Sequence, residues 1–276
     1  MEVGRWSKDK LRLLGKYLKA YSMIMNRQKG KWLKAYHYID AFAGTGEAVD
    51  RETRKLIDGS VKVALDTEPP FDMYWFIEKS SIRIKKLEEL KKKYPFKDIK
   101  ILQGDSNKEL WKITEEISKA SNQRGIVFLD PYGLQVKWST VERLGKSNVF
   151  DIFINFSLMG IIRNLPKNKE PNSQITDIIS GVIGNNDWIN EIYYKSKDLF
   201  GDNWAVRNKI NIEKLVCLYT NQVKGIFEYL SKPVIMRNSK NAPIYALILA
   251  SHKHVARKIM DEIEKDFHER VNCIWR

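Results

Sequence analysis

Tyr38-Ile39-Asp40-Ala41-Phe42-Ala43-Gly44-Thr45-Gly46 reads as a buried strand running into a glycine turn. In an open α/β sheet such a turn lets the backbone pass close to a bound nucleotide, and glycine is what permits that approach. Outward from it, three more apolar runs lead to acidic residues: Tyr74 to Ile77 before Glu78, Ile99 to Leu102 shortly before Asp105, and Gly125 to Leu129 before Asp130. A strand, a turn and an acidic residue repeated four times is how a doubly wound sheet lines a crevice at its carboxyl edge. Val149 to Phe156 supplies a fifth strand. Val234 to Arg237 and Ile244 to Ala250, joined by Asn238-Ser239-Lys240-Asn241, read as an antiparallel pair at the sheet edge.

Helical spacing fills the intervals. Residues 7–27 carry Leu11, Leu14, Leu18, Tyr21 and Ile24-Met25 at helical spacing, with Ser7 as the expected cap. After Glu78 a Lys-rich helix places Ile82, Leu87, Leu90 and Tyr94 on its apolar side and stops at Pro95. Further helices are predicted over 109–120, 138–144, 212–230 and 253–268. Residues 157–210 are rich in Asn, Lys, Trp and Tyr, show no strand repeat, and read as a mostly helical insertion. The expected organisation is a basic helical segment at 1–35, a Rossmann-like domain at 36–156 and 211–276, and the insertion at 157–210. The sheet should have seven strands, mostly parallel, with an antiparallel edge.

The chain has 276 residues, 43% of them hydrophobic, which suits one α/β domain with an insertion. No apolar run reaches the length of a membrane span, and the first residues lack the apolar stretch of a signal peptide. Cys217 and Cys273 make neither a disulfide framework nor a zinc site. The expectation is a soluble, cytoplasmic protein without a membrane partner. Its net charge is +14, and residues 1–36 carry ten Lys/Arg against two Asp/Glu, so 10 − 2 = +8 falls in that segment. Localised excess of this kind points to a polyanion, here a nucleic acid, with Lys10 and Lys16 as candidate contacts.

The chemistry of the turn narrows the ligand. A dinucleotide fingerprint needs Gly-x-Gly-x-x-Gly, and here the third position is Val49. Glu47, near an expected helix start, would repel a pyrophosphate. No Gly-Lys-Ser/Thr phosphate loop is present. Asp40-Ala41-Phe42-Ala43-Gly44-Thr45-Gly46 instead resembles the Asp-x-Phe-x-Gly-x-Gly of class I S-adenosylmethionine (SAM) methyltransferases. The resemblance implies a cofactor site lined by Asp40, Phe42, Gly44, Gly46, Glu78 and Asp105. Asp40 would receive the methionine ammonium directly or through water. Glu78 has two acceptor oxygens for the ribose hydroxyls, and Asp105 is placed for the adenine amine. Any one of these carboxylates alone reads as a helix cap or loop end; four in register point to a site.

Asp130-Pro131-Tyr132-Gly133 marks the acceptor side. Amino-group methyltransferases carry Asp/Asn-Pro-Pro-aromatic at the end of strand four. Here the second proline is missing, and the segment resembles the Asp-Pro-Phe-Gly of guanine-N2 tRNA methyltransferases. That implies Asp130 and the following carbonyl accept hydrogen bonds from an exocyclic amine while Tyr132 stacks on an extruded base. The same residues also suit a plain turn with Pro131 at its second position. Asn155 and Ser157, at the end of strand five, are candidates for holding the acceptor. No cysteine sits where a carbon-methylating nucleophile would. His252 and His254 share a strand-like face without a third metal ligand. Trp188, Trp204, Tyr193 and Tyr194 read as core aromatics before base-stacking ones.

Taken together, the chain resembles the three-Cys-motif partner family. The segments carrying this are Lys10-Leu11 with Tyr17-Leu18, the glycine turn, Phe128-Leu129-Asp130-Pro131-Tyr132-Gly133, Phe153-Ile154-Asn155-Phe156 and Tyr245-Ala246-Leu247-Ile248-Leu249-Ala250-Ser251. The resemblance implies a methyltransferase-like fold and a separate protein bearing a three-cysteine motif. Two rivals stand beside an amino-methyltransferase: a non-catalytic SAM-fold scaffold of a phage or defence complex, and a metal-dependent nuclease. For the nuclease, Asp-x-Glu-x-Lys spacing is absent from the expected strands.

Overall fold

The seven long strands form where the apolar runs place them: β1 Ala35–Asp40, β2 Met73–Glu78, β3 Ile99–Gln103, β4 Gln123–Leu129, β5 Phe150–Ser157, β6 Val234–Arg237 and β7 Pro243–Ser251. The computed structural model describes residues 2–51, 53–167, 169–197, 203–207 and 211–274. The strands pair in the order β3-β2-β1-β4-β5-β7-β6. The first five are parallel, β7 runs antiparallel to β5, and β6 antiparallel to β7. Tyr229–Leu230 adds a short strand on the outer edge of β7, so the sheet has eight strands rather than the seven expected. Strand order reverses between β1 and β4, and a ligand crevice opens at that switch point.

Parallel strands are apolar on both faces because both are covered. Ile39, Ile77, Val127 and Leu129 face helices Ser106–Lys119, Trp138–Lys146 and Ile212–Lys224. Tyr38, Phe76, Ile126 and Phe128 face helices Arg5–Gln28, Ser60–Leu65, Ser81–Lys91 and His254–Ile274. The result is a three-layer sandwich.

Four features depart from the sequence reading. The first helix starts at Arg5 behind Gly4, and Ser7 is buried within its first turn instead of capping it. This basic helix is also part of the core, since Leu13, Leu14, Tyr17, Leu18 and Tyr21 are buried against the sheet. Ile82, expected on an apolar side, is exposed. The glycine turn does not lead into a helix. It enters the hairpin Glu47–Asp50/Leu56–Asp58, whose first strand also pairs with Glu2–Val3. Glu47 therefore lies on a strand, and the helix start is Ser60.

The insertion carries helices Leu158–Asn164, Ser173–Ile183 and Trp188–Ile192, then an antiparallel pair, Tyr193–Lys197 with Asn203–Arg207. The pair escapes sequence reading because its strands are polar and short. The helices share the sheet's core: Ile179, Ile183 and Trp188 are fully buried, and Trp188 Nε1 donates to Ser180 Oγ at 2.9 Å. Tyr193 is buried and Tyr194 exposed, while the side chain of Trp204 lies outside the described residues. Trp188→Ala should destabilise the protein by about 3–5 kcal/mol, as large buried aromatics do. Urea unfolding reads this, and a loss below about 1 kcal/mol would show that the insertion packs independently of the sheet. Among the described residues no helix is long and apolar enough to cross a membrane.

Candidate active site

A cavity of about 890 Å³ opens at the carboxyl ends of β1, β2 and β4. Its floor is the glycine turn. Gly44 and Gly46 have φ of +64° and +76°, a region that L side chains rarely adopt. A Cβ on Gly46 would stand 2.6 Å from Leu90 Cδ2, so a side chain there would also have to displace the tip of Leu90. A Cβ on Gly44 would meet nothing within 4 Å; no protein atom fills the space beside its backbone. Phe42 lines the cavity and packs against the core behind it.

Glu78, at the end of β2, is buried and holds the turn in place. Its Oε2 accepts from Gly44 N at 3.1 Å; its Oε1 accepts from Ser80 N and from Arg83 Nη2, both at 2.8 Å. Asp105 lines the adjoining wall and is exposed. Its Oδ1 caps helix Ser106–Lys119 by accepting from Asn107 N and Lys108 N. The cap reading and the cavity-lining reading of Asp105 therefore both hold.

Asp40 does not line the cavity. Its side chain leaves β1 on the same face as Tyr38, towards the helix that starts at Ser60, and is wholly buried. It accepts from Phe42 N at 3.1 Å, Tyr38 Oη at 3.3 Å and the Ser60 side chain. Ser60 is the residue that reaches the cavity. Burial pushes the Asp40 carboxyl up from 3.8 to about 6; the Ser60 and Phe42 donors oppose this and the Asp130 charge adds to it. A folded-state pKa raised above the unfolded value favours the fold most when the carboxyl is neutral in both states. That contribution is full below pH 3.8 and is lost as pH rises through about 6. The gap in unfolding free energy between wild type and Asp40→Asn should therefore shift by about 2–3 kcal/mol between about pH 4 and pH 7. Urea titrations across that window check it, and a pH-independent gap would show that Asp40 ionises normally.

Asp130 stands across the cavity at the end of β4. Its Oδ1 accepts from Asn155 Nδ2 at 2.6 Å, and its Oδ2 is ion-paired with Lys10 Nζ. Pro131 lines the cavity beside it, and the Tyr132 ring is 81% exposed at the mouth. Asn155 and Ser157 lie behind the cavity rather than on it. Asn155 reaches it only through Asp130. Ser157 Oγ caps helix Leu158–Asn164 by accepting from Gly160 N at 3.3 Å, so it has turned away from any acceptor.

Lys10 and Lys16 differ from the expected basic surface. Lys10 is 3% exposed and lines the cavity, committed to Asp130 instead of to solvent phosphates. Lys16 is half-buried on the same helix and does not line the cavity. His252 is a packing residue: Nε2 lies 2.8 Å from Gly145 O and the ring stacks on Phe227.

Several lining residues escaped the sequence reading. Trp6, Ser7 and Leu11 come from the first helix, Tyr245 from β7 and Arg83 from the Lys-rich helix. Ser106 also lines the cavity and donates to Ala41 O at 2.5 Å, fastening the turn from the other side. Ser106 had a local signal, as the residue after a capping Asp. The others are brought in by tertiary packing. Among the described residues no three His, Cys, Asp or Glu side chains are grouped as a metal site requires.

No family model matches the chain, and no curated protein does. Among solved structures it is similar to spermidine synthase from Thermotoga maritima, at 9% identity over 92% of this chain and 62% of that one, TM-score 0.43. It is also similar to an S-adenosylmethionine-dependent methyltransferase from Clostridium acetobutylicum, at 13% identity over 88% of this chain and 92% of that one, TM-score 0.36. A third is M. jannaschii TYW2 in complex with AdoMet, at 9% identity over 83% of this chain and 73% of that one, TM-score 0.33. At such scores the chemistry of this chain rests on its own residues.

Proposed function

We propose that this chain is a SAM-dependent methyltransferase acting on an exocyclic amino nitrogen of a nucleic-acid base. The observation that carries the reading is that one cavity joins the glycine turn and Glu78 to Asp130, Pro131 and Tyr132. A cofactor pocket and an amine-accepting carboxylate with an exposed aromatic ring thus share one space.

The residues fit SAM better than a dinucleotide. The volume suits a ligand of nucleoside size plus an acceptor. The open side of Gly44 allows close backbone approach, and Glu78 offers carboxylate oxygens to a ribose. Glu47 and Glu78 stand beside the glycine turn itself, where a dinucleotide would place its pyrophosphate, and disfavour that group there. Bound there, SAM would supply an electrophilic methyl group on its sulfonium. Asp130 accepts an N–H of the amine and so aims the lone pair; Tyr132 offers a face for the base. The amine proton passes to solvent after transfer. Positioning and exclusion of water account for most of the acceleration.

The nucleic-acid claim is supported by the charge of the first helix and by Lys79, Arg83 and Lys137 on the cavity wall. Pairing with a three-Cys-motif protein follows from the family resemblance, and co-purification with a tagged copy of this chain tests it. A second reading, a SAM-binding scaffold, is favoured by one observation: both Asp130 oxygens already have partners. Calorimetry with SAM and its demethylated product, followed by tritiated methyl transfer onto DNA and tRNA pools, separates the readings. Binding with transfer supports the enzyme, and binding without transfer to any pool supports the scaffold. Absence of binding rejects the cofactor itself.

A further inference from the structure

We propose, resting on the reading that Asp130 faces the acceptor, that Lys10 is a specificity-determining residue which restricts the site to neutral planar amines and rejects alkylammonium ions. A carboxylate set among aromatic rings in a half-closed cleft is by itself a cation trap. Here Trp6 and Tyr245, packed at 5.2 Å between ring centroids, line the same cavity as Asp130. An ammonium ion should be the preferred occupant of such a cleft. The protein already supplies one. Lys10 is 3% exposed, pairs with Asp130 Oδ2, and sits 5.3 Å from the Trp6 ring and 5.8 Å from the Phe128 ring.

The carboxylate is therefore neutralised on one oxygen and fixed by Asn155 on the other. A second ammonium brought to Asp130 would face the Lys10 charge at contact range, in a cleft where water screens little. A neutral aromatic amine meets no such repulsion. It needs only a remaining lone pair on Asp130 and flat apolar walls, which Trp6, Tyr245 and Tyr132 provide. The first helix thus closes the cavity and also sets the charge that the acceptor must have.

The test titrates n-butylamine, a cation at neutral pH, and separately guanosine, adenosine and cytidine, into wild type, Lys10→Arg and Lys10→Met. Each titration is run with and without saturating S-adenosylhomocysteine. Wild type should bind at least one nucleoside and should bind butylammonium about 10- to 100-fold more weakly. Lys10→Met should gain butylammonium affinity by a similar factor, and Lys10→Arg should not. Butylammonium binding to wild type as tightly as any nucleoside overturns the proposal without need of a variant. So does a folded Lys10→Met, judged by circular dichroism, that gains nothing. Failure of S-adenosylhomocysteine to bind wild type counts against the cofactor reading instead, and the titrations without it still report on Lys10.

Discussion

Asp130→Ala should lower methyl transfer by about a thousandfold or more while leaving SAM affinity within about threefold of wild type. The reason lies in what holds Asp130. Asn155 donates to one oxygen from β5 and Lys10 pairs with the other from the first helix, so the carboxylate is fixed before any acceptor arrives. Pre-set orientation of this kind contributes to the transition state and little to cofactor binding, because the residues proposed for the cofactor, Gly44, Glu78 and Asp105, belong to other strand ends. The alanine variant also strands a buried lysine. Removing one partner of such a pair costs about 3–5 kcal/mol of stability, so the variant must be shown to be folded at the assay temperature. Asp130→Asn is the companion. It keeps the shape and one acceptor oxygen, and its activity should fall between the two. Equal losses of transfer and SAM affinity in Asp130→Ala would place this residue in the cofactor site instead.

The sheet was legible in the sequence because its strands are continuous apolar runs bounded by glycine, proline and acidic residues. β1 to β5 and the late antiparallel pair lie within a few residues of the runs that announce them. Hidden elements were short or polar: Glu2–Val3, Glu47–Asp50, Leu56–Asp58, Tyr229–Leu230 and the Tyr193–Lys197 hairpin. None is long enough to show alternation, and they form because neighbouring backbone offers them a partner. Asp40 shows the limit at the site. Its position at a strand end was readable, but which way the side chain leaves depends on strand register, and register turned it towards Ser60. Lys10 shows the same limit in charge. A lysine on a basic amphipathic helix reads as a surface cation, and only the docking of that helix over β4 makes it the partner of Asp130.

Glu78→Ala should weaken SAM binding by at least about a hundredfold, since two charge-assisted hydrogen bonds to ribose hydroxyls are worth about 1.5–3 kcal/mol each. The structure adds a second loss. Glu78 Oε2 accepts from Gly44 N, so the variant also frees the glycine turn proposed to lie against the cofactor. The carboxylate is well used already, by Gly44, Ser80 and Arg83. About four lone-pair sites exist on a carboxylate, so a ribose diol needs one of these partners to yield. The two backbone donors are fixed by the turn and by the start of helix Ser81–Lys91. Arg83 is the one that can move, with a side chain 51% exposed. Arg83→Ala should therefore leave SAM affinity unchanged or raise it slightly, in contrast with Glu78→Ala, and calorimetry on the two variants side by side decides. If Arg83→Ala weakened binding as much as Glu78→Ala, the ion pair itself would be what the site requires, and Glu78 would act by holding the Lys-rich helix in place rather than by receiving the ribose.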